Sequence, residues 1–264
     1  MNVNHRLDLA EKYLHKFVTC EDIEKEKDFV IINENQSVLL KCDDKIVGGV
    51  IRNVAKKNVA NHFGLKMKLT CDAHPKINRG QKTHADSGKL IGHGLRANFL
   101  DPSTTDSYVY KNKNLDPEIQ RIYDEDGDSF GEWLYKNAED HVPWSVLSYE
   151  TFKQKVNLNY EQKIGAVFCA ENYEAAGHRD KNRSEFAIGF VYEIGIVKEG
   201  YFIYPEYGVA IKMTSNSIWC WLTQAVHGTA KLNLSEGDIR YTSAITLTEK
   251  TAKAMEKEAG ITKN

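Results

Sequence analysis

The sequence predicts an α+β protein in which N-terminal helices pack on an all-β C-terminal core. Residues 5–18 repeat apolar side chains at the period of a helix with one buried face. Residues 164–247 hold six short runs rich in β-branched and aromatic residues, separated by Gly, Pro, Asn and Ser. The content of 41% hydrophobic and 27% charged residues is typical of a globular chain. Closely spaced strands of this kind favour a sandwich or a small barrel.

The first fifty residues predict a helix followed by short strands. The helix at residues 5–18 comes first. Three β-branched runs follow at residues 29–32, 37–40 and 45–51, separated by polar turn residues. This order predicts a β-meander.

Two oppositely charged stretches follow. Residues 52–89 hold nine Lys or Arg against two Asp, whereas residues 116–140 hold nine acidic residues against two cations. The basic stretch could follow nucleic-acid phosphates or form a solvated face. Residues 124–128 resemble part of a calcium loop but lack its closing Glu, so a solvated loop is predicted there.

The remaining elements are short helices and the strands of the core. Helices are predicted at residues 130–135, 149–156 and 248–258. The candidate strands are residues 164–170, 187–194, 201–204, 209–213, 218–223 and 241–247. We expect one domain over residues 1–264. Its parts are an N-terminal region with a candidate substrate-binding function, a β core and a C-terminal helix, at residues 1–160, 161–247 and 248–264.

Composition narrows the class of protein. The net charge of −2 gives no global sign of nucleic-acid binding, although a local basic patch could still serve. The five cysteines contain no C-x-x-C pair, which argues against a zinc knuckle or a disulfide framework. No signal-peptide core and no apolar run of membrane-spanning length is present. We expect an intracellular protein, nuclear or cytoplasmic, with no membrane association and no obligate protein partner.

The most informative residues are His178, Asp180 and His227. Two imidazoles and one carboxylate can hold a mononuclear Fe(II) and leave coordination positions open. His178 and Asp180 are two residues apart, so they share a face if the segment is extended. The H-x-D pattern alone has little specificity, and a second copy begins at His84. That copy has no preceding strand, and no later His and Arg suit it better.

Arg240 and Thr242 strengthen this interpretation. Arg240 follows His227 by thirteen residues, and on a strand it shares a face with Thr242. A guanidinium with a neighbouring hydroxyl can cradle one end of a dicarboxylate.

In this order and spacing, the five residues resemble the Fe(II)/2-oxoglutarate-dependent dioxygenases. The motifs cover roughly residues 164–247. The resemblance implies a double-stranded β-helix, a distorted jelly roll, with Fe(II), 2-oxoglutarate and O2 as cofactor and co-substrates. It implies that His178, Asp180 and His227 bind the iron. Arg240 would then anchor the C5 carboxylate of 2-oxoglutarate, assisted by Thr242.

The run from Gly177 to Asn182, with Arg179 between the two ligands, is most similar to the TET/JBP branch of that family. Those enzymes oxidise the methyl group of 5-methylcytosine or thymine to hydroxymethyl and further oxidised forms. The resemblance therefore implies DNA with methylated cytosine as the partner. Two features depart from the branch. The cysteine-rich zinc-binding region of the animal enzymes is absent, and residues 172–177 contain no second basic residue for 2-oxoglutarate.

Several residues keep two interpretations. Arg179 could contact substrate or be a solvated charge. Asn182 and Asn172 could bind a base or the cofactor, or could be turn residues. Trp219 and Trp221 share a strand face, and packing in the sheet is favoured over base stacking.

Two other functions remain open alongside DNA oxidation. One is a dioxygenase of the same fold that hydroxylates a protein side chain or a small molecule. The other is a non-enzymatic β-sandwich binding module.

Overall fold

A computed structural model describes residues 3–72, 85–107, 117–156, 165–198 and 200–261. The helices of this part are α1 Val3–Tyr13, α2 Cys20–Lys25, α3 Lys57–Asp72, α4 Pro117–His141, α5 Leu147–Val156 and α6 Glu249–Glu258. Its strands are β1 Val30–Ile32, β2 Val38–Cys42, β3 Lys45–Arg52, β4 Ala85–Ala97, β5 Thr105–Ser107, β6 Ala166–His178, β7 Phe186–Ile194, β8 Tyr201–Tyr204, β9 Val209–Lys212, β10 Ser217–Leu222, β11 His227–Thr229 and β12 Ile239–Thr246.

Strand β6 joins two sheets. Its first half pairs with β12, which continues through β7 to β10, and its last residues pair with β11, which continues through β8 to β9. The backbone passes from one sheet to the other near Asn172, which has a left-handed conformation with φ 48°. Strands β3 and β2 extend the first sheet beyond β10, β1 extends the second beyond β9, and β4 pairs along β6. The two sheets that share this bent strand form the predicted double-stranded β-helix.

The sheet β6-β12-β7-β10 is covered on its outer face by helices. Helix α3 buries Ala60, Met67 and Cys71, which recur at helical spacing, against this face. Helices α4, α5 and α6 add to the same apolar cluster. On the other side, α1 and α2 pack on β8 and β9 around Ile23 and Ile203. The prediction that N-terminal helices pack on a β core is confirmed.

A separate apolar cluster fills the space between the two sheets. It includes Val191, Phe202, Trp219 and Trp221, all buried. Trp219 and Trp221 are stacked with ring centroids 5.4 Å apart, as the prediction of packing within the sheet requires. This interior is the region that the candidate ligands border.

Strand β1 differs from the prediction. It pairs in parallel with β9, with Val30 opposite Val209, so the predicted meander is a hairpin of β2 and β3 plus a separate edge strand. The edge of β9 offers unpaired backbone groups, and β1 satisfies them.

Helix α4 corrects two further predictions. It runs unbroken through residues 124–128, where a solvated loop was expected, and extends well beyond the predicted short helix at residues 130–135. Phe130, Leu134 and Ala138 are buried at intervals of four residues, which fixes the C-terminal half of the helix on the core. The helix ends just before Pro143, because the residue before a proline disfavours the helical conformation.

The basic stretch also contains structure that the sequence interpretation missed, namely α3 and the strand β4. In the described ranges, no helix has the length and apolar character needed to cross a membrane.

Candidate functional site

His178, Asp180 and His227 lie together at the junction of β6 and β11. His178 is the last residue of β6, His227 is the first of β11, and the two are directly opposite in the antiparallel pair. Nε2 of His178 is 3.6 Å from Oδ1 of Asp180, and Nε2 of His227 is 3.4 Å from Oδ2. All three ligand atoms lie within 4.8 Å of one another. Among the described residues, this is the one such group of His, Cys, Asp or Glu.

The structure places His178 differently from the sequence interpretation. The sequence predicts a strand at residues 164–170, but β6 continues to His178 itself. His84, which begins the second H-x-D copy, lies outside the described residues.

Backbone carbonyl groups fix the orientation of both imidazoles. Nδ1 of His178 is 2.8 Å from the carbonyl oxygen of Ala176, and Nδ1 of His227 is 2.9 Å from that of Ala225. A carbonyl oxygen can only accept, so each Nδ1 carries a proton, and Nε2, which faces Asp180, is the ring nitrogen left to bind a metal. Two imidazoles and a carboxylate therefore converge, and this donor set fits Fe(II) with open positions.

The N-terminal segment holds the end of β6 in place. The His15 amide donates to the carbonyl oxygen of Gly177 at 2.7 Å, and the Gly177 amide donates to that of Lys16 at 3.1 Å. A Cβ on Gly177 would overlap the carbonyl oxygen of Tyr13. The glycine before the first ligand is thus required by the close approach of this segment.

Arg179 connects the two ligand-bearing segments. Its guanidinium lies 3.6 Å from Oε1 of Glu11 and 3.7 Å from Oε2 of Glu206. Glu206 also accepts a hydrogen bond of 3.3 Å from the amide of Val226, the residue before His227. Arg179 is therefore engaged within the protein, and its role in substrate contact stays a prediction.

Asn182 lies beside the carboxylate ligand. Its Nδ2 is 3.5 Å from Oδ2 of Asp180, and its carbonyl oxygen accepts a hydrogen bond from Gln224. The Asp180 amide donates to the carbonyl oxygen of Thr223 at 2.9 Å. These contacts hold the turn that carries Asp180, and a role for Asn182 in base recognition stays a prediction.

Arg240 projects into the interior from β12 and forms a buried ion pair. Its Nε and Nη2 donate to Oε1 of Glu193 at 2.8 and 2.6 Å, and Nη2 also donates to the carbonyl oxygen of Met213 at 3.1 Å. Only 5% of the surface of Arg240 is exposed. Gly200 makes room for the guanidinium, because a Cβ there would overlap Nη1.

Donors remain available near Arg240 for a carboxylate. Neither Nη1 of Arg240 nor the hydroxyl of Thr242 forms a hydrogen bond with the described residues. Strand alternation places Thr242 on the interior face with Arg240, yet Thr242 is only half-buried, so the interior is open there. One guanidinium edge and one hydroxyl fit the distal carboxylate of 2-oxoglutarate.

Asn172 supports the backbone of Arg240. Its Oδ1 accepts a hydrogen bond of 2.9 Å from the Arg240 amide, at the bend where β6 changes sheets. The structure places Asn172 inside β6, at a left-handed bend of the strand and not in a turn between two elements. Contact with a base or cofactor stays a prediction.

The sequence interpretation missed Glu193. A signal was present, because Glu193 continues the interior-facing alternation of Ala187, Gly189 and Val191 along β7. A carboxylate at such a position needs a cationic partner, and Arg240 is directly opposite it in the sheet.

Comparisons with known proteins bear on the fold. No family model and no curated protein matches the sequence. NgTET1 in complex with 5mC DNA is similar over 96% of this chain and 93% of its own, with a TM-score of 0.54 and 12% identity. The viral collagen prolyl hydroxylase vCPH from Paramecium Bursaria Chlorella virus-1, in its 2OG complex, is similar over 78% of this chain and 99% of its own. Its TM-score is 0.35 and its identity is 13%. The chain thus shares with NgTET1 the double-stranded β-helix that the resemblance to the Fe(II)/2-oxoglutarate-dependent dioxygenases predicted.

Proposed function

We propose that the protein is an Fe(II)- and 2-oxoglutarate-dependent dioxygenase that oxidises the methyl group of 5-methylcytosine or thymine in DNA to hydroxymethyl and further oxidised forms. The observation that carries the dioxygenase proposal is the convergence of His178, Asp180 and His227 in a double-stranded β-helix. Bound Fe(II) with 2-oxoglutarate would supply O2-dependent oxidation of a C–H bond, with succinate and CO2 as co-products.

The side chains of the site have separate tasks in this proposal. The two imidazoles bind the metal through Nε2, because their Nδ1 protons are committed to backbone carbonyl groups. Asp180 supplies the anionic ligand. Arg240 and Thr242 would orient 2-oxoglutarate by its distal carboxylate, and the buried surroundings of Arg240 strengthen that interaction by excluding water.

Two observations support DNA as the substrate. The Arg between the two ligands is similar to the TET/JBP branch, and NgTET1, whose fold the chain shares, is described with 5mC DNA. A base in a duplex would have to leave the stack to reach the site, which costs a few kcal/mol of unstacking.

A turnover assay with Fe(II), 2-oxoglutarate and O2 tests both the dioxygenase activity and the DNA substrate. The substrates are duplex and single-stranded DNA with 5-methylcytosine, DNA that contains thymine but no 5-methylcytosine, and RNA. Mass spectrometry should detect 5-hydroxymethylcytosine together with succinate, and Asp180→Ala should produce neither. Unchanged 5-methylcytosine in every arm would reject the DNA substrate.

A second candidate is a dioxygenase that hydroxylates a protein side chain or a small molecule. The described Lys and Arg residues of the basic stretch favour it. Several of them form ion pairs or hydrogen bonds within the protein and are therefore less available for nucleic-acid phosphates. Lys89 pairs with Glu171 at 3.1 Å, and Arg52 is buried and donates to the carbonyl oxygens of Asn33 and Lys212. Burial lowers the pKa of Arg52 to about 10, although Glu34 and Glu193 oppose that shift. Succinate formation that methylated and unmethylated oligonucleotides leave equally unstimulated would support this candidate.

The non-enzymatic binding module makes a different prediction. Purified protein would then bind no Fe(II), and Asp180→Ala would change no measured property beyond stability. Metal content and a binding titration with Fe(II) under argon distinguish this case directly.

A further inference from the structure

Two buried indole N–H groups in the interior have no hydrogen-bond acceptor among the described residues. They belong to Trp219 and Trp221, whose exposed fractions are 4% and 5%. Buried N–H groups without a partner are uncommon in native proteins, since each loses its hydrogen bonds to water. Two of them on one strand face indicate a ligand that supplies acceptors.

Both indoles border the region between the metal ligands and Arg240. Trp221 lies with its ring centroid 5.4 Å from that of His227. Trp219 is one interior position further along, opposite Gly189, and its ring occupies the space that a Cβ on Gly189 would need. Glu193, the partner of Arg240, lies two interior positions beyond Gly189 along β7. The order from the metal towards the guanidinium is therefore Trp221, Trp219, Arg240.

The site is short of cationic donors for a dicarboxylate. The buried guanidinium of Arg240 is already shared with Glu193, so the pair has no net charge. Residues 172–177 contain no basic side chain. Neutral N–H donors can stabilise a carboxylate in a buried site without the desolvation cost of a second cation.

We propose that the indole N–H groups of Trp219 and Trp221 donate hydrogen bonds to the carboxylates of 2-oxoglutarate. Trp221 donates to the 2-oxoglutarate carboxylate nearer the metal, and Trp219 donates to the carboxylate nearer Arg240. This inference rests on the proposed function, because it assigns further residues to the binding of the same co-substrate. The two rings lie on the same interior face as the small residues Ala187, Gly189 and Ala244, and the ring of Trp219 packs directly over Gly189.

The test is a 2-oxoglutarate titration of 15N-indole-labelled, Zn(II)-loaded protein followed by NMR. The chain has four tryptophans, and Trp133 and Trp144 lie among the helices outside the interior, which makes them internal references. We expect the Trp219 and Trp221 indole resonances to move downfield and those of Trp133 and Trp144 to stay. Trp→Phe variants at each position assign the four signals.

The same variants measure the contribution of each donor. Phenylalanine keeps an aromatic ring, although a smaller one, and removes the N–H. Trp219→Phe and Trp221→Phe should each weaken 2-oxoglutarate binding roughly tenfold or more, as expected for one hydrogen bond to a charged group. Trp133→Phe and Trp144→Phe should leave the affinity unchanged.

The outcomes separate this inference from the proposed function. If 2-oxoglutarate binds the wild-type protein but the two interior resonances do not move, the indole assignment is wrong and the proposed function stands. If calorimetry detects no binding of 2-oxoglutarate by the metal-loaded wild-type protein, both are overturned.

Discussion

Oε1 of Glu193 accepts hydrogen bonds from both Nε and Nη2 of Arg240, at 2.8 and 2.6 Å, inside the space between the two sheets. Both side chains are nearly withdrawn from solvent, with exposed fractions of 6% for Arg240 and 12% for Glu193. The candidate 2-oxoglutarate anchor thus has a built-in counterion. Its role in folding and its role in binding can therefore be separated by mutating both partners.

Replacing Arg240 with methionine should impair stability and binding together. The single variant leaves Glu193 buried without its cation, which we expect to cost about 3–5 kcal/mol of unfolding free energy. Arg240→Met with Glu193→Gln removes both charges and should recover most of that loss. Neither protein should bind 2-oxoglutarate with better than about one hundredth of the wild-type affinity, since the anchoring cation is gone. Urea denaturation and calorimetry measure the two quantities, and wild-type affinity in the double variant would exclude Arg240 as the anchor.

Gly177 should be intolerant of even the smallest side chain. A Cβ there overlaps the carbonyl oxygen of Tyr13, so Gly177→Ala must push the N-terminal segment away from the end of β6. We expect a loss of about 2–3 kcal/mol in unfolding free energy, the range for a forced overlap with backbone. A several-fold weaker affinity for Fe(II) should accompany it, since His178 is the next residue.

Gly237→Ala is the matched control. No atom lies within 4 Å of a Cβ at this position, although its φ of 86° makes a side chain unfavourable there. The unfolding free energy of Gly237→Ala should fall by about 1 kcal/mol, and its Fe(II) affinity should equal that of the wild type. Equal effects of the two substitutions on Fe(II) binding would contradict a positioning role for Gly177.

Arg179 should act on the metal site through Glu206. Glu206→Gln keeps an acceptor for the Val226 amide but removes the charge that faces Arg179. Because Arg179 is partly exposed, the loss in stability should be small, about 0–1 kcal/mol. We expect Fe(II) affinity to fall a few-fold in Glu206→Gln and further in Arg179→Met, as measured by competition with a chelator.

The kinetic parameters of the same variants decide whether Arg179 also meets substrate. A positioning role predicts unchanged KM for the oxidised substrate once Fe(II) is saturating. A raised KM in Arg179→Met with unchanged Fe(II) affinity would instead assign Arg179 to substrate contact. Glu11→Gln, which affects the other ion pair of Arg179, serves as the control for a general loss of charge.

The sequence identified the residues that the structure brings together at the candidate site, because the pattern that marks them is local. His178 and Asp180 are two residues apart, and His227 and Arg240 each adjoin a strand, so type and spacing carried the information. The ion pair of Arg240 with Glu193 could not be inferred with the same ease, since it depends on β7 and β12 being neighbours in the sheet. The pairing of strands that are distant in sequence is decided by tertiary packing, and local sequence patterns predict it poorly.

The errors in the N-terminal half have a related cause. Charge dominated the interpretation of residues 52–89 and 116–140, and it obscured the apolar spacing of α3 and α4. Gly64 illustrates the difficulty. It lowers helix propensity, yet a Cβ there would overlap the ring of Tyr192, so close packing of α3 on β7 requires the glycine. Tertiary contact outweighed local preference at that position.

Glu256 links the C-terminal helix to the segment that follows the candidate ligands His178 and Asp180. It is buried on α6 and accepts hydrogen bonds from Arg183 at 2.5 Å and from Lys155 at 2.6 Å. Burial raises the pKa of this carboxyl, but the hydrogen bonds from Lys155 and Arg183 outweigh burial, so the pKa lies below its ordinary value of 4.5. A lowered folded-state pKa means that the ionised form stabilises the fold. That contribution is complete above pH 4.5 and is lost as the pH falls through the folded-state pKa.

Glu256→Gln should therefore destabilise the protein at neutral pH and have less effect in acid. We expect a loss of about 1–3 kcal/mol at pH 7, as for other buried carboxylates that lose charge-assisted hydrogen bonds. The gap between the wild-type and variant curves should close as the pH falls below 4.5, because the wild-type carboxyl then also loses its charge. Glu236→Gln, at an exposed position with no hydrogen bond or ion pair among the described residues, should stay within about 0.5 kcal/mol of the wild type throughout. Urea denaturation from pH 7 to pH 3 provides the curves, and a constant gap for Glu256→Gln would show that packing rather than charge sets its contribution.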